Sequence, residues 1–467
     1  MTSHKTPKQI VAELNKYIIG QDEAKKSVAI ALYNRYRRSQ LPKEAQKDIT
    51  PKNILMAGPT GVGKTEIARR LADIVEAPFV KVEATKFTEV GYVGRDVESM
   101  VRDLANEAVR MVEKEELDNV EYKARKEANK ILVRALVPGV KRENHENQMQ
   151  QMQDLMQSLL NNDLSDSLDS KEEVTDEVRN ERLDVSEQLD KGLLEDREVT
   201  IEVDQAPKAN PMGDMMGQMG MDMSSLMNDL APKKKVKRTL PVREARDILI
   251  KQESKKLVNY DEIYQKAMER AGQSGIIFID EIDKTIAGNK RNSGEVSREG
   301  VQRDILPIVE GSTVNTKYGP LSTDHVLFIA AGAFAENKPS DLIPELQGRF
   351  PVRVELNALT KDDFVRILKD PQNSLLKQYI ALLKADGVEL VFTAEAVDKI
   401  AEIAFEVNQG TDNIGARRLA TILEKLLEDV LYEGPDMEMG KITITQSYVE
   451  DKLNDIVKNK DLTKFIL

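Results

Sequence analysis

Short runs of apolar residues recur at wide intervals along the chain and predict buried β-strands. Three of them cover residues 53–57, 275–279 and 326–330. The first leads through a glycine-rich turn into residues 66–75, whose apolar positions have the period of an amphipathic helix. Strands that are apolar throughout and separated by helices indicate a parallel sheet covered on both faces. We therefore predict an α/β core.

The pattern changes after residue 357, where amphipathic helical periods dominate up to residue 467. We predict helices over residues 363–368, 375–383, 394–404 and 417–431. These segments indicate a small helical domain at residues 357–467.

Residues 111–241 differ in composition from the chain on either side, with alternating acidic, Lys-rich and Gln/Asn-rich stretches. We predict an inserted, mainly helical domain that divides the α/β domain into residues 1–110 and 242–356. The Met-rich tract 211–223 has no helix or strand period, so we expect a mobile loop. Such a loop is either a spacer or an adaptable surface for varied unfolded chains, and the sequence leaves both open.

The composition narrows the class of protein. The chain has 467 residues, a net charge of −12 and no cysteine. Disulfides and thiolate chemistry are thereby excluded, and a reducing cytoplasm is the expected location. No apolar run is long enough to span a bilayer. The three histidines, His4, His145 and His325, are too scattered to predict a metal centre or a catalytic triad.

The acidic balance also argues against a sequence-independent grip on nucleic acid, which needs a basic face. One local stretch, residues 232–238, does resemble a nuclear-import or nucleic-acid patch. In so acidic a chain we interpret it as a solvated basic turn.

Residues 58–65, Gly-Pro-Thr-Gly-Val-Gly-Lys-Thr, form a complete P-loop between the first predicted strand and the following helix. The glycines let backbone N–H groups turn toward phosphates, and the helix N-terminus adds a favourable field. Lys64 is expected to reach the β- and γ-phosphates, and the Thr65 hydroxyl to ligate Mg²⁺. ATP and Mg²⁺ are therefore the predicted cofactors.

The second apolar strand ends in Asp280-Glu281. We expect Asp280 to hold the Mg²⁺ shell through water, and Glu281 to orient and polarise the attacking water. A solvated strand exit is the alternative, but a strand of this kind in a chain with a P-loop favours catalysis. The adjacent glutamate indicates hydrolysis rather than simple nucleotide holding.

Two arginines are candidates to complete the site. Arg349 stands between Gly348 and Phe350-Pro351, which predicts an exposed loop tip from which it reaches the γ-phosphate of a neighbouring subunit. Arg417 opens a predicted helix of the C-terminal domain and is expected to contact the nucleotide of its own subunit. Each residue, taken alone, is more often a surface charge.

Several motifs together resemble the HslU (ClpY) family of ATPase rings over residues 8–467. The motifs are Tyr17-Ile18-Ile19-Gly20-Gln21, the P-loop, Gly91-Tyr92-Val93-Gly94, residues 279–284, residues 301–307, Gly348-Arg349-Phe350 and Gly415-Ala416-Arg417-Arg418. The resemblance implies an AAA+ P-loop NTPase core with an inserted domain and a small C-terminal helical domain. One departure is that residues 330–334 offer no Asn or Thr as a phosphate sensor, so none is assigned.

The resemblance also implies roles for individual residues. Ile19 would lie beside the adenine, Arg349 would act in trans and Arg417 in cis, and Glu345 would lie near the subunit boundary at the nucleotide. The expected nucleotide contacts in and after the P-loop are Gly61, Val62, Gly63, Lys64, Thr65 and Glu66.

Two further segments would contact polypeptides. The resemblance implies that Gly91, Tyr92, Val93 and Gly94 line a central pore, where an aromatic and a branched side chain grip an extended chain. Without it, packing of Tyr92 on its own core would be the safer interpretation. The resemblance also implies that the segment Phe465-Ile466-Leu467 docks on a separate peptidase. The sequence alone favours packing of this segment on its own domain.

The leading function is therefore that of a protein unfoldase. In this interpretation the chain forms a homo-hexameric ring that unfolds tagged or unfolded proteins for a separate HslV (ClpQ)-type peptidase, without binding nucleic acid or membrane. A stand-alone remodeller and a nucleic-acid motor are alternatives. A fourth is a protease with Thr2 as an N-terminal nucleophile, which would need a dedicated scaffold around that residue.

Overall fold

The computed structural model describes residues 5–47, 49, 51–88, 95–141, 172–173, 175–204, 235–286, 298–411, 413–436 and 440–458. The strands are β1 Ile54–Ala57, β2 Phe79–Glu83, β3 Val140–Lys141, β4 Glu172–Glu173, β5 Glu198–Asp204, β6 Lys235–Pro241, β7 Ile276–Asp280, β8 Thr313–Thr316, β9 Gly319–Ser322, β10 Leu327–Gly332, β11 Val352–Glu355, β12 Glu389–Phe392 and β13 Lys441–Ile444.

The helices are α1 Pro7–Asn15, α2 Asp22–Ser39, α3 Lys43–Lys47, α4 Lys64–Ile74, α5 Ser99–Leu136, α6 Asp176–Asp190, α7 Val242–Leu257, α8 Tyr260–Ser274, α9 Arg298–Glu310, α10 Pro344–Arg349, α11 Lys361–Lys369, α12 Leu375–Ala385, α13 Ala394–Gly410, α14 Arg417–Glu433 and α15 Gln446–Lys458. No helix among these described segments is both long and apolar enough to cross a membrane.

A five-stranded parallel sheet with the order β11-β1-β10-β7-β2 organises the larger of two compact units. Its central strands are the most apolar: residues Ile276–Ile279 of β7 and all of β10 are buried. Parallel strands need cover on both faces, and here α4 packs against β7 and β10, α2 packs against β11, and α1 packs on α2 and α4. The predicted α/β fold with a parallel sheet flanked by helices is thus confirmed.

All five strands point in one direction, so their carboxyl ends share one edge of the sheet. Ala57 at the end of β1 is in register with Gly332 of β10, and Asp280 at the end of β7 with Glu83 of β2. Ligands of open α/β sheets bind at this kind of edge. The P-loop and Asp280-Glu281 therefore lie on the same side of the sheet, separated by β10.

The C-terminal residues of the larger unit form a helical layer, as the amphipathic pattern predicts. Helices α11 to α15 bury leucine, isoleucine and valine side chains in one apolar cluster with the sheet helices. The structure adds a feature that the sequence analysis did not predict, a parallel pair of short strands, β12 and β13.

The second compact unit comprises residues 113–260. Its apolar core is formed by the distal part of α5, by α6, by the antiparallel pair β5-β6 and by α7. Val242, Ala245 and Leu249 of α7 are buried against this core, which explains why the unit continues beyond residue 241. The predicted Met-rich loop at residues 211–223 lies outside the described residues.

One interpretation of the sequence is wrong. Residues 235–238 of the basic stretch are not a turn, because they belong to strand β6. In the register of the hairpin, Lys235 stands opposite Asp204 and Lys237 opposite Glu202. Opposite charges across an antiparallel pair favour the strand, and they balance the basic residues locally.

A cationic cluster holds the amino-terminal edge of the sheet. Arg35 of α2 donates to the carbonyl oxygens of Ser274 and Gly275, each at 3.3 Å, and Arg38 Nη2 lies 2.8 Å from His325 Nε2. Burial lowers the pKa of Arg35 to about 10. Burial, followed by the charge of Arg38, lowers the pKa of His325. The imidazole is thus held neutral.

Protonation of His325 should destabilise the fold as the pH falls. The unfolded chain takes up this proton near pH 6.5, whereas the folded chain resists it because burial, Arg38 and Arg35 outweigh the opposing charge of Asp324. Stability should therefore decline below about pH 6.5. In thermal unfolding between pH 7.5 and 5, His325→Gln should lose less stability than wild type. Parallel pH profiles for the two proteins would contradict this.

Candidate active site

The P-loop joins the carboxyl end of β1 to α4 through three glycines that have positive φ. The φ angles of Gly58, Gly61 and Gly63 are 152°, 73° and 102°. A Cβ on Gly58 would also lie 2.4 Å from the carbonyl oxygen of Leu356. Only glycine adopts this path without strain, and the path ends at the N-terminus of α4, where an anion is favoured.

Lys64 is held inside the P-loop by the loop's own backbone. Its Nζ donates to the carbonyl oxygens of Gly58 and Pro59 at 2.6 and 2.8 Å. Burial lowers its pKa, and the nearby charges of Asp280 and Asp283 oppose that effect. The ammonium group is therefore pre-positioned, and phosphate oxygens would offer it stronger, charge-assisted partners than neutral carbonyls.

Thr65 and Asp280 bring two hard oxygen donors together. Thr65 Oγ1 donates to Asp280 Oδ2 at 3.5 Å, although the two residues come from different elements. A hydroxyl and a carboxylate suit Mg²⁺, which retains several waters and takes further oxygens from a nucleotide. No denser cluster of His, Cys, Asp or Glu suited to a metal is found in the described part of the chain.

Lys81 is a site residue that the sequence analysis missed. It extends from β2, and its Nζ lies 2.8 Å from Asp280 Oδ2. The only sequence signal is a lysine within the otherwise apolar run 79–82. Lys81 thus balances the charge of the carboxylate that the sequence analysis assigned to the Mg²⁺ site.

Glu281 has an unusual backbone conformation for a non-glycine residue, with a φ of 56°. Its exposed carboxylate accepts a hydrogen bond from Thr85 Oγ1 at 3.2 Å. Left-handed backbone at such a residue costs about 1–3 kcal/mol and is concentrated at functional sites. Thr85, which the sequence analysis also missed, orients the carboxylate that was predicted to polarise water.

Asp283 fixes the chain that follows β10. Its buried Oδ2 accepts from the backbone N–H of Phe334 at 3.1 Å, and a Cβ on Gly332 would lie 2.7 Å from its Oδ1. Residues 330–334, to which no phosphate sensor was assigned, are thus anchored by a carboxylate from the neighbouring segment. The absence of a sensor stays a prediction.

The C-terminal domain touches the P-loop through residues 414–416. Ala416 N donates to the Gly61 carbonyl oxygen at 3.0 Å. A Cβ on Gly61 would lie 1.9 Å from the Ile414 carbonyl oxygen, so the two loops interlock through backbone. Arg417 follows directly at the start of α14. It is close enough to Lys64 for its positive charge to contribute to the lowered pKa of that lysine. The predicted proximity of Arg417 to its own nucleotide site fits this placement.

Gly415→Ala should disturb this interlock. Gly415 has a φ of 61°, and its Cβ would lie 2.5 Å from the Thr60 carbonyl oxygen. We expect a stability loss of at least about 1–2 kcal/mol from the backbone conformation alone, and ATP turnover about 10²-fold lower from the displaced P-loop.

The matched control is Gly410→Ala, at the end of α13. A Cβ there meets nothing within 4 Å, so stability should change by less than about 0.5 kcal/mol. Thermal unfolding and steady-state ATPase assays measure both effects. Full ATPase activity in Gly415→Ala would mean that the interlock is dispensable.

The segment that carries Ile19 lies beside the P-loop and is fixed by polar contacts on both sides of it. A Cβ on Gly63 would be 3.9 Å from Ile18 Cγ2. Lys25, which is buried, donates to the Ile18 carbonyl oxygen at 2.9 Å, and both amide atoms of Gln21 bind the backbone of Asn357. Ile19 itself is buried, and its role beside the adenine stays a prediction.

Arg349 was predicted to lie at a loop tip. This prediction is wrong, because Arg349 is the last residue of α10. Pro344 starts this short helix, a position in which its fixed φ and missing N–H are tolerated. The Arg349 side chain keeps 51% of its surface exposed and binds Glu310 Oε1 through Nη2 at 2.7 Å. Glu345, in the first turn of α10, is exposed as well.

Arg349 lies at the end of β1 opposite to the P-loop. Its carbonyl oxygen accepts from Asn53 Nδ2 at 3.1 Å, and Asn53 immediately precedes β1. A strand of this length spans about 13 Å. The structure therefore does not bring Arg349 to the P-loop of its own chain. The predicted pore residues Gly91–Gly94 and docking residues Phe465–Leu467 lie outside the described residues.

Comparison with known protein families agrees with this geometry. Residues 54–166 match the family of ATPases associated with various cellular activities (AAA), residues 207–353 match the AAA domain of the Cdc48 subfamily, and residues 359–439 match the C-terminal, D2-small domain of ClpB protein. The fold and the site thus define an AAA ATPase, an enzyme that hydrolyses ATP.

Full-length relatives narrow the class. The chain is 83% identical over 463 residues to the ATP-dependent protease ATPase subunit HslU of Lactobacillus delbrueckii subsp. bulgaricus, with 99% of each chain covered. It is 78% identical over 467 residues to the protein of that name from Lactobacillus gasseri, covering 100% of both, and 61% identical over 468 residues to that of Enterococcus faecalis, covering 99% of both. The chain belongs to the HslU family.

Proposed function

We propose that the chain is the ATPase subunit of a two-component, ATP-dependent protease, and that it unfolds client proteins and moves them into a separate HslV-type peptidase. The observation that carries the proposal is the full-length similarity to relatives named as such subunits. A homo-hexameric ring in the cytoplasm, acting on unfolded or tagged proteins, is part of the proposal. The residues 91–94 would line its pore.

The contacts at the carboxyl ends of the strands support a separate role for each site residue in ATP hydrolysis. Lys64, fixed by Gly58 and Pro59, binds phosphate oxygens, and the backbone around Gly61 and Gly63 follows them. Thr65, and Asp280 through water, would hold Mg²⁺, which would supply positive charge to the β- and γ-phosphates. Glu281, oriented by Thr85, takes a proton from the attacking water.

Two arginines and Ile19 complete the proposed site. Arg417 at the start of α14 contacts the nucleotide of its own subunit, since the loop before it touches the P-loop. Arg349 stabilises the charge on the γ-phosphate of the neighbouring subunit. Glu345 lies near the same boundary, and Ile19 packs beside the adenine.

The proposal is tested by degradation of a stably folded model protein that carries an unstructured tag. The chain, an HslV-type peptidase and ATP are combined, and each is omitted in turn. We expect loss of the intact protein only when all three are present, and none with a non-hydrolysable ATP analogue. Unfolding without any stimulation of the peptidase would favour a stand-alone remodeller instead.

Coupling to the peptidase should depend on the last residues of the chain. Removal of residues 460–467, which include Phe465, Ile466 and Leu467, should leave basal ATP turnover within a few-fold of wild type. Stimulation of the peptidase should be lost, because an apolar segment of this kind suits a pocket on a partner. Peptidase assays with a small fluorogenic peptide measure this. Normal stimulation by the truncated chain would place the coupling elsewhere.

A further inference from the structure

One buried side chain links the hydrolysis site to the helix that carries Arg349. Gln302 of α9 has no exposed surface. Its Nε2 donates to the Thr285 carbonyl oxygen at 3.0 Å, and its Oε1 accepts from the Ile343 N–H at 2.9 Å. Both halves of the amide are therefore used, each toward a different backbone segment.

Each of these two segments leads directly to a residue of the proposed mechanism. Thr285 ends the short 3-10 helix Ile282–Thr285, which follows Glu281 without a break. Ile343 is the residue before α10, the helix of six residues that ends at Arg349. We refer to Glu281 and this 3-10 helix as the Glu281 turn. The Gln302 amide therefore fixes the distance between the Glu281 turn and the start of α10.

The other end of α10 is bound to α9 as well. Glu310, the last residue of α9, accepts from Arg349 Nε at 3.0 Å and from Nη2 at 2.7 Å through the same Oε1. Helix α9 thus holds α10 at both ends, through Gln302 and through Glu310. A short helix attached in this way moves with α9 as one body.

We propose that Gln302 is a positioning residue that couples the Glu281 turn of one subunit to the arginine that the same subunit presents to its neighbour. Displacement of the turn is carried by the Gln302 amide to Ile343 and by α10 to Arg349. This rests on the proposed role of Arg349 in trans. It extends that role, because the position of each subunit's Glu281 turn then sets the position of the arginine that the subunit presents to its neighbour.

Mixed rings separate this role from a purely structural one. Three donor subunits are prepared with Glu281→Gln, which silences their own hydrolysis. The first carries no other change, the second adds Gln302→Leu and the third adds Arg349→Ala. Each is mixed in excess with wild-type subunits, so that all turnover comes from intact wild-type sites that receive a donor's arginine.

We expect the first donor to sustain the turnover of wild-type subunits and the third to abolish it. The second should lower kcat per wild-type subunit by about 10²-fold, because the arginine is displaced. The KM for ATP should change little, since the wild-type nucleotide sites are unaltered. A general loss of stability in the donor would not produce this selective change in an intact neighbour.

If Gln302→Leu donors sustain turnover as well as the first donor while Arg349→Ala donors do not, Gln302 has no positioning role. If even the Arg349→Ala donors sustain turnover, Arg349 does not act on the neighbouring subunit. The proposed coupling through Gln302 is then wrong as well. Incorporation of each donor is verified by native mass spectrometry.

Gln302→Met replaces the leucine variant if that one fails to enter rings. Methionine has nearly the length of glutamine but supplies neither the donor to Thr285 nor the acceptor for the Ile343 N–H. A decrease in neighbour turnover with this variant supports the link between the Glu281 turn and α10, and unchanged turnover overturns it.

Discussion

Glu281→Gln should retain ATP binding while ATP hydrolysis slows by about 10²–10⁴-fold. The glutamine has nearly the size of the glutamate and can still accept a hydrogen bond from Thr85, but it cannot take a proton from water. Equilibrium binding of a fluorescent ATP analogue and steady-state turnover measure the two properties separately. If affinity fell as much as turnover, Glu281 would be a binding residue rather than a base.

Lys64→Thr provides the contrasting variant. Lys64 is the cation held inside the P-loop by Gly58 and Pro59, so its removal should abolish nucleotide binding itself. Thr85→Val should have a milder effect than Glu281→Gln, because it removes only the hydrogen bond that orients the carboxylate. Wild-type ATP affinity in Lys64→Thr would show that the P-loop assignment is wrong.

Arg349→Ala should lower ATP turnover by about 10³-fold or more, since the loss of an arginine that stabilises the charge on the transferred phosphate has effects of this size. Arg110→Ala is a suitable control, because Arg110 is 78% exposed and binds only Glu107 among the described residues. The control should turn over ATP at the wild-type rate.

Mixing inactive Arg349→Ala subunits with inactive Glu281→Gln subunits should restore part of the activity. In a fraction of the interfaces, an intact Glu281 then faces an intact Arg349 from the other subunit. The position of Arg349 at the far end of β1 from its own P-loop is the structural reason for this expectation. Absence of recovery in rings shown to be mixed would contradict action in trans.

Burial explains which strands the sequence could predict. The runs that became β1, β7 and β10 are apolar throughout because these strands occupy the interior of the sheet. The apolar runs of the outermost strands β2 and β11 are interrupted by Lys81 and Arg353, and charged side chains are common on outermost strands because they oppose pairing with another chain. The strands β5 and β6 were not predicted for a related reason. Charged residues stand opposite each other in this pair, so neither strand is apolar throughout.

The residues of the candidate site also differ in whether the sequence could predict them. The P-loop and Asp280-Glu281 are local motifs, so their chemistry can be inferred from contiguous residues. Lys81, Thr85 and Gln302 belong to the site only because the fold brings them to it. The helix that ends at Arg349 was predicted as a loop because Gly348 and Pro351 are poor helix formers, whereas packing of Leu346 and Phe350 overrides that propensity.

The strand order also determines when the core can form during synthesis. Ile54 of β1 pairs with Ile329 of β10 and with Val352 of β11. The first strand therefore has no neighbour until β10 is complete at residue 332, and it lacks its second neighbour until β11 is complete at residue 355, whereas the hairpin β5-β6 can close as soon as residue 241 has emerged. Pairings so distant in sequence form slowly and leave apolar strand edges exposed in the nascent chain. For most of its own translation, this chain should itself need protection from aggregation.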